Sequence, residues 1–575
     1  MNFFTKLSIF FSLFFLIISF SYSQYPQGYF CPPMDPPLEL SGSFGELRSV
    51  NFHTGIDIRV INRPQRRVYS VQNGYVSRIK VEPSGYGNTL YITHPNGYVS
   101  VYAHLDNYSG KISELVKEIQ YKNKSFEIDV ILSPDSLFVE KGEVIGIAGN
   151  TGFSFGPHLH FEIRDELTQD IIDPLLFGID VRDIKPPTFI SVKIYPHGNS
   201  LINGSNNEVV VSCRKTESNN YTLPETFEVS GAVSFGFETN DRQNNTNPNR
   251  LGLRAMKIFV DDSIFAALVS ERLSFQTRRH LLAYIDFNES QIFKKRYQRS
   301  YRMKGNKSSI YNILSNDGVL LLAQKGIYNI RCIITDIGGN TAELNFELNF
   351  IELPNNFSTE IQCDSNSIPL LQSDSNVVTG EHYKIVFPEG SLFDDLCFSF
   401  SEEYFDLSPF AFMAKIHNND VPLASWYSIH IKPDSIPPAP HKIVLANINA
   451  QNKLSALETI FVDSVYIAQA RQFGNFVLVV DSLPPKITPV NIPTSEVITN
   501  LSQLRFTITD ELSGIKSYDG YINGEWILFE YDLKNNLLFH KIDDRIPIGD
   551  SQLELIVTDK VENKSVFVKK LITLK

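Results

Sequence analysis

Gly156-Pro-His-Leu-His-Phe-Glu-Ile-Arg-Asp165 places two histidines one residue apart inside a run that otherwise reads as a buried strand. Side chains alternate faces along a strand. Leu159, Phe161 and Ile163 therefore share an apolar face, and His158, His160 and Glu162 share the other. Strand rise puts the two histidine Cα atoms about 6.6 Å apart, close enough for both imidazoles to address one small site. Glu162 reads as a solvated carboxylate at the strand edge rather than as a partner of the histidines.

Five of the twelve histidines, His53, His94, His104, His158 and His160, fall between residues 40 and 180. Two imidazoles do not complete a catalytic zinc site, which takes three protein ligands and keeps one position open. Asn51-Phe-His-Thr-Gly-Ile-Asp-Ile-Arg-Val60 offers His53 and Asp57. On a straight strand they would stand about 13 Å apart, too far for one metal. Gly55 lies midway, where the backbone bends most freely, and a turn there lets the two converge while Ile56, Ile58 and Val60 lead into the core. Leu90 to Leu105 reads as a hairpin about the turn Pro95-Asn96-Gly97. Val99, Val101, Ala103 and Leu105 form its expected core face, with Tyr98, Ser100, Tyr102 and His104 on the other. His94, just before the turn proline, reads as structural.

These three segments carry a resemblance. HTGID (His53 to Asp57), YAHL (Tyr102 to Leu105) and GNTGFSFGPHLHFEIR (Gly149 to Arg164) resemble, in order and spacing, the signatures of the lysostaphin/LytM-type zinc metallopeptidases. Gly85-Tyr-Gly87 and Val144-Ile-Gly146 match the framework between them. The resemblance covers roughly residues 40 to 175. It implies a small antiparallel β domain of the LytM, duplicated-hybrid-motif-like kind. It further implies His53, Asp57 and His160 as zinc ligands, and His158 and His104 as a catalytic pair that does not bind the metal. His158 is the expected general base; His104 would hold the water or steady the oxyanion. Two departures stand out. Phe155 replaces a small polar residue in a loop expected to border the groove, and residues 109 to 139 look like an insertion.

The rest of the chain bounds this reading. A length of 575 residues implies about three to five domains. The net charge of −12 argues against a nucleic-acid binder. Residues 1–23 hold one charge, Lys6, then an apolar run and Ser21-Tyr-Ser23, the pattern of a secretory signal peptide. No later segment is apolar for long enough to span a bilayer. Five cysteines without a CxxC pair fit neither a disulfide framework nor a zinc knuckle, and structural roles are expected for them.

Beyond residue 180 a punctuation recurs: Asp183-Ile-Lys-Pro-Pro, Asp434-Ser-Ile-Pro-Pro and Asp481-Ser-Leu-Pro-Pro. Thr335-Asp336 with Asn340, and Thr558-Asp559 with Asn563, form a second recurring signal. Asp336 and Asp559 read as turn caps in preference to calcium ligands. Short strand-forming runs between turn residues predict a mainly β chain of β-sandwich modules. The expected organisation is 1–23 signal peptide, 24–182 metallopeptidase domain, 183–352 β-sandwich, 353–480 a less legible β-rich module, and 481–575 a module resembling the immunoglobulin-like type. A helix is expected at Leu454 to Gln472.

The resemblance implies a secreted endopeptidase of the periplasm or cell envelope that cuts peptide cross-links of peptidoglycan. Its C-terminal modules are candidates for docking an envelope partner. The rival functions are a non-catalytic regulator that activates a cell-wall amidase, which should have lost metal ligands, and a metalloprotease of secreted proteins.

Overall fold

A computed structural model describes residues 24–574 except 61–65, 323, 355, 359–362, 407, 409, 411 and 499–500. The expected signal peptide, 1–23, lies outside the described residues. The chain is mainly β. Its N-terminal domain is built on one antiparallel sheet. In chain order the strands are β1 (Leu40–Gly42), β2 (Ile56–Arg59), β3 (Gly74–Val81), β4 (Thr89–Thr93), β5 (Tyr98–Ala103), β6 (Ile128–Ile131) and β7 (His158–Asp165). In space they run β1-β2-β7-β5-β4-β3-β6. The histidine strand β7 is thus central, paired with β2 on one side and β5 on the other. Leu159, Phe161 and Ile163 are fully buried with Ile56, Ile58 and Leu90 in one core.

The hairpin differs from expectation at Tyr102 and at His104. Tyr102, not Val99 or Val101, enters the main core; the two valines form a small cluster with Tyr91. Tyr102 is tolerated there because its hydroxyl bonds the Val71 N–H and Ser100 Oγ. Leu105 rejoins the main core because His104, with φ 59°, breaks the strand and shifts the alternation.

The 109–139 segment holds helix α1 (Gly110–Asn123) and edge strand β6. Ile112, Val116 and Gln120, at i, i+4 and i+8, bury one helical face. Lys124 ends the helix in the left-handed region, its N–H returning to the Gln120 and Tyr121 carbonyls.

The second module shares its core with the first domain: Phe44, Phe52 and Ile171 pack with Phe227, Phe235 and Leu273. The sheet also continues across. Strand β8 (Ile171–Ile172) pairs with β7 and with β9 (Arg272–Leu273). Between residues 368 and 480 two five-stranded sheets face each other over one core, and a Cys363–Cys397 disulfide lies at its edge. The helix expected at 454–472 is instead three strands, Leu454–Ala456, Thr459–Val462 and Val465–Ala470. Asp463 and Ser464 both have positive φ, giving the two-residue hairpin turn that β-branched flanks favour over a helix. From 486 to 573 two four-stranded sheets enclose the last core.

The chain closes on itself. Arg279 of the second module donates to the Arg471 carbonyl of the third, and Lys442 of the third to Asn563 of the fourth. The fourth returns to α1. Tyr121 meets Trp526 edge-on at 5.4 Å, Arg545 lies 3.9 Å over the Tyr121 ring, and Lys117 pairs with Asp543 at 3.1 Å.

Candidate metal centre

Three buried side chains meet where β2 crosses β7. His53 Nε2 is 3.0 Å from Asp57 Oδ1, His160 Nδ1 is 2.9 Å from the same oxygen, and the two nitrogens are 3.1 Å apart. The local sequence makes this possible. His160 and Asp57 are register partners in adjacent strands. His53 precedes β2 and reaches back over Gly55, where a Cβ would stand 2.4 Å from the Phe161 carbonyl. Only glycine lets the chain pass so close to β7.

The outer nitrogens settle which atoms face inward. His53 Nδ1 is 2.7 Å from the Ser43 carbonyl, an acceptor only, so Nδ1 carries the proton and Nε2 offers a lone pair. His160 Nε2 is 2.9 Å from Glu162 Oε1 and donates to that carboxylate, which leaves Nδ1 facing Asp57. Two imidazole acceptors and a carboxylate oxygen thus converge, and a positive charge belongs at their centre. Against its burial, the Asp57 and Glu162 carboxylates hold the His160 imidazole up at about 9, so a proton takes that place when no cation does. Burial opposes ionisation of Asp57, but His53 and His158 beside it keep its carboxyl well below the usual range. Its other oxygen accepts from Arg48 at 2.6 Å. Two nitrogens and one oxygen at 2.9–3.1 Å suit a small tetrahedral cation; neighbouring zinc ligands stand about 3.3 Å apart.

His158 and His104 flank this cluster, their ring centroids 4.9 Å apart. His158 Nδ1 donates to the Gly156 carbonyl at 2.8 Å, and Nε2 lies 3.4 Å from Asp57 Oδ1. His104 sits at the break after β5 rather than on its face, with its Nδ1 donating to the Thr151 carbonyl at 2.8 Å. Burial and the neighbouring His158 and His160 push the His104 pKa down to about 3, so it is neutral near pH 7. His94 is outside the cluster, buried and bonded to the Asn73 carbonyl and Ser100 Oγ.

Glu162 corrects the sequence reading. It is fully buried and accepts from His160, from Thr54 Oγ1 at 2.6 Å, from the Tyr86 hydroxyl at 2.6 Å and from Arg164 Nε at 2.7 Å. Its role is to orient His160. Tyr86 also stacks on the His160 ring at 5.2 Å. Tyr86 stands in the Gly-Tyr-Gly framework and Thr54 inside HTGID, both usable signals; nothing in the sequence marks Arg48. Phe155 is 93% exposed, edge-on to Phe153 in the loop that leads to His158.

The sequence model of peptidase family M23 matches residues 51–121 and 128–174, so only 122–127 of the apparent insertion falls outside it. A model of a Zu5-like domain matches 369–481. The chain is 34% identical over 118 residues to the DD-carboxypeptidase/endopeptidase Mpg of Neisseria meningitidis serogroup B, covering 20% of this chain and 21% of that protein. It is 33% identical over 138 residues to the peptidoglycan DD-endopeptidase ShyA of Vibrio cholerae serotype O1, covering 23% of this chain and 26% of that protein. The chain therefore spans about a quarter or less of these relatives' length. Against the catalytic domain of lysostaphin from Staphylococcus simulans the identity is 22%, over 24% of this chain and 88% of that one, with a TM-score of 0.18. The family model spans the stretch that carries all three motifs, and residues 51–121 with 128–174 form a domain of peptidase family M23.

Proposed function

We propose that this chain is a zinc endopeptidase that hydrolyses the D,D peptide cross-links of peptidoglycan, outside the cytoplasm. In this reading His53, Asp57 and His160 hold the metal, and His158 and His104 act on the water. The observation that carries it is the convergence of two imidazole lone pairs and one carboxylate oxygen within 3.1 Å, with the outer nitrogens committed to Ser43 and Glu162. The substrate class follows from the curated relatives, whose names specify D,D bonds and peptidoglycan.

Zinc held there would act as a Lewis acid toward the scissile carbonyl and acidify a water. His158 has its Nδ1 proton committed to Gly156, so Nε2 accepts the proton of the attacking water and returns it to the leaving amine. His104, neutral and bonded through Nδ1 to Thr151, accepts a hydrogen bond at Nε2 and fixes the water's position. In that tautomer it has no proton to give an oxyanion, so its role is to position.

Peptidoglycan lies outside the cytoplasm, and residues 1–23 supply the export signal in this reading. Among the described residues no helix is long and apolar enough to cross a membrane. The modules beyond residue 182 are the surface on which an envelope protein partner would dock.

The test is a digest of purified sacculi by the full chain, read by mass spectrometry, with chelated and His158→Ala controls. New peptide termini from cross-links, absent in both controls, are expected. No cleavage by folded, zinc-loaded protein would refute the proposal and favour a regulatory role.

A further inference from the structure

Asp183, Asp241 and Asp336 bring three carboxylates together where the first domain passes into the second module. One oxygen of each lies within 4.8 Å of the other two. Asp336 is held by its turn: Oδ1 accepts the Asn340 N–H and Oδ2 accepts Asn340 Nδ2. Asp183 Oδ1 accepts the Lys185 N–H, but its Oδ2 is buried with no partner. Asp241 is the anomaly. It is 2% exposed, and among the described residues no side chain donates to either carboxylate oxygen. Among the described residues none of the three pairs with a cationic side chain. Burial, Asp183 and Asp336 push the Asp241 carboxyl up to about 8, against the Arg242 backbone N–H and the Lys185 charge.

A buried carboxylate without a side-chain donor, set against two others, is unfavourable unless a cation neutralises it. The turn comes so close that a Cβ at Gly338 would stand 2.7 Å from Asp183 Cβ. The donor set is all oxygen, the preference of a hard cation. Magnesium dehydrates reluctantly and is usually held by one or two carboxylates, so a set of three protein carboxylates favours calcium.

We propose that Asp183, Asp241 and Asp336 form a second metal site, selective for calcium, that locks the 241–251 loop onto the first strand of the peptidase domain. The loop begins at Asp241, whose carbonyl accepts the Leu251 N–H. Gln243 accepts the Leu40 N–H at 2.9 Å, and Asn247 donates to the Leu40 carbonyl at 2.7 Å. Leu40 begins β1, and β1 pairs with the strand that carries Asp57, Gly42 opposite Asp57. Calcium would therefore brace the sheet under the candidate zinc site from the neighbouring module. The sister cluster Asp481, Asp510 and Asp559 is different. Its carboxylates accept from Ser513, Leu512, Gly514, Val561 and Asn563, and the proposal does not extend to it.

The experiment uses the full chain, stripped of metal and reloaded with zinc, then titrated with calcium. Bound calcium is counted by equilibrium dialysis and thermal unfolding is followed in parallel. At a hundredfold excess over Kd, calcium should raise Tm by on the order of 5 °C. Asp241→Asn should bind one calcium fewer and lose that rise. In calcium-free buffer it should melt at or above the native chain, because the amide removes the repulsion. Asp183→Asn is the second variant and should behave alike. The proposal is overturned if the native chain shows no calcium-dependent rise, if both variants bind as much calcium as the native chain, or if magnesium stabilises equally. Because the readouts are binding and melting, failure here leaves the peptidase reading untouched, and the reverse.

Discussion

Replacing Glu162 by glutamine separates two jobs done by one carboxylate. Oε1 accepts from His160, Thr54 and Tyr86, and Oε2 accepts from Arg164 Nε. An amide keeps the first set only by turning its NH2 onto the Arg164 guanidinium, where donor meets donor. The opposite orientation sets the NH2 against three donors. Arg164 is 6% exposed, so its charge is left buried and unpaired, a loss of about 3–5 kcal/mol. His160 loses a charged acceptor at Nε2, which should weaken zinc about 10–100-fold, or roughly 1.4–2.7 kcal/mol. Zinc affinity is read by competition with a chelating dye, and stability by hydrogen exchange along His158–Asp165. The double variant Glu162→Gln/Arg164→Met removes both charges and should regain most of the stability but none of the zinc affinity. If the double variant regains both, Glu162 serves only Arg164 and the link to His160 is wrong. If the single variant keeps zinc within twofold and unchanged exchange, the whole reasoning fails.

His158→Ala should bind zinc within about threefold of the native chain yet lose roughly 10²–10⁴ in kcat, checked by metal analysis beside turnover; a matching loss of zinc would make His158 a ligand instead. Burial lowers the His94 pKa to about 4, so the folded state refuses a proton that the unfolded chain takes near pH 6.5. Stability is then full above pH 6.5 and falls toward pH 4. Between pH 7 and 5 hydrogen exchange along Tyr98–Ala103 should report a loss of about 2 kcal/mol, absent in His94→Gln. Trp526 lies against Tyr121, and Trp526→Ala should weaken the docking of the last module by about 3 kcal/mol. The variant should show new protease sensitivity around residues 481–486, with zinc content unchanged.

What was legible in the sequence depended on how local its cause was. The β7 alternation, the Gly55 bend and the Pro95-Asn96-Gly97 turn are written in neighbouring residues, and a strand, a convergence of His53 with Asp57 and a hairpin follow from them. Glu162 was misread because alternation says which face a side chain takes, not what covers that face. Here Tyr86, Thr54 and Arg164 cover it. The helix expected at 454–472 failed on two residues, Asp463 and Ser464, whose positive φ turns the chain back into a hairpin. The shared core of Phe44 and Phe52 with the second module was invisible for another reason: both would have been equally at home in their own domain's core.

Helix α1 shows how a local device acquires a distant role. One face, Ile112 and Val116, holds it to its own domain. Lys117 and Tyr121 hold the last module through an ion pair, an edge-on ring and a guanidinium stacked on that ring. A lid must leave its seat to admit substrate. A helix fixed on both faces cannot leave without undoing both contacts, so α1 is a dock. The dock has a consequence at the site. It keeps Lys534 of the last module on the Asn150 carbonyl, at the start of the loop that bears Phe153 and Phe155. That loop ends at Gly156, whose carbonyl fixes the His158 tautomer. The far end of the chain therefore braces the loop that carries two exposed phenylalanines and aims the candidate base.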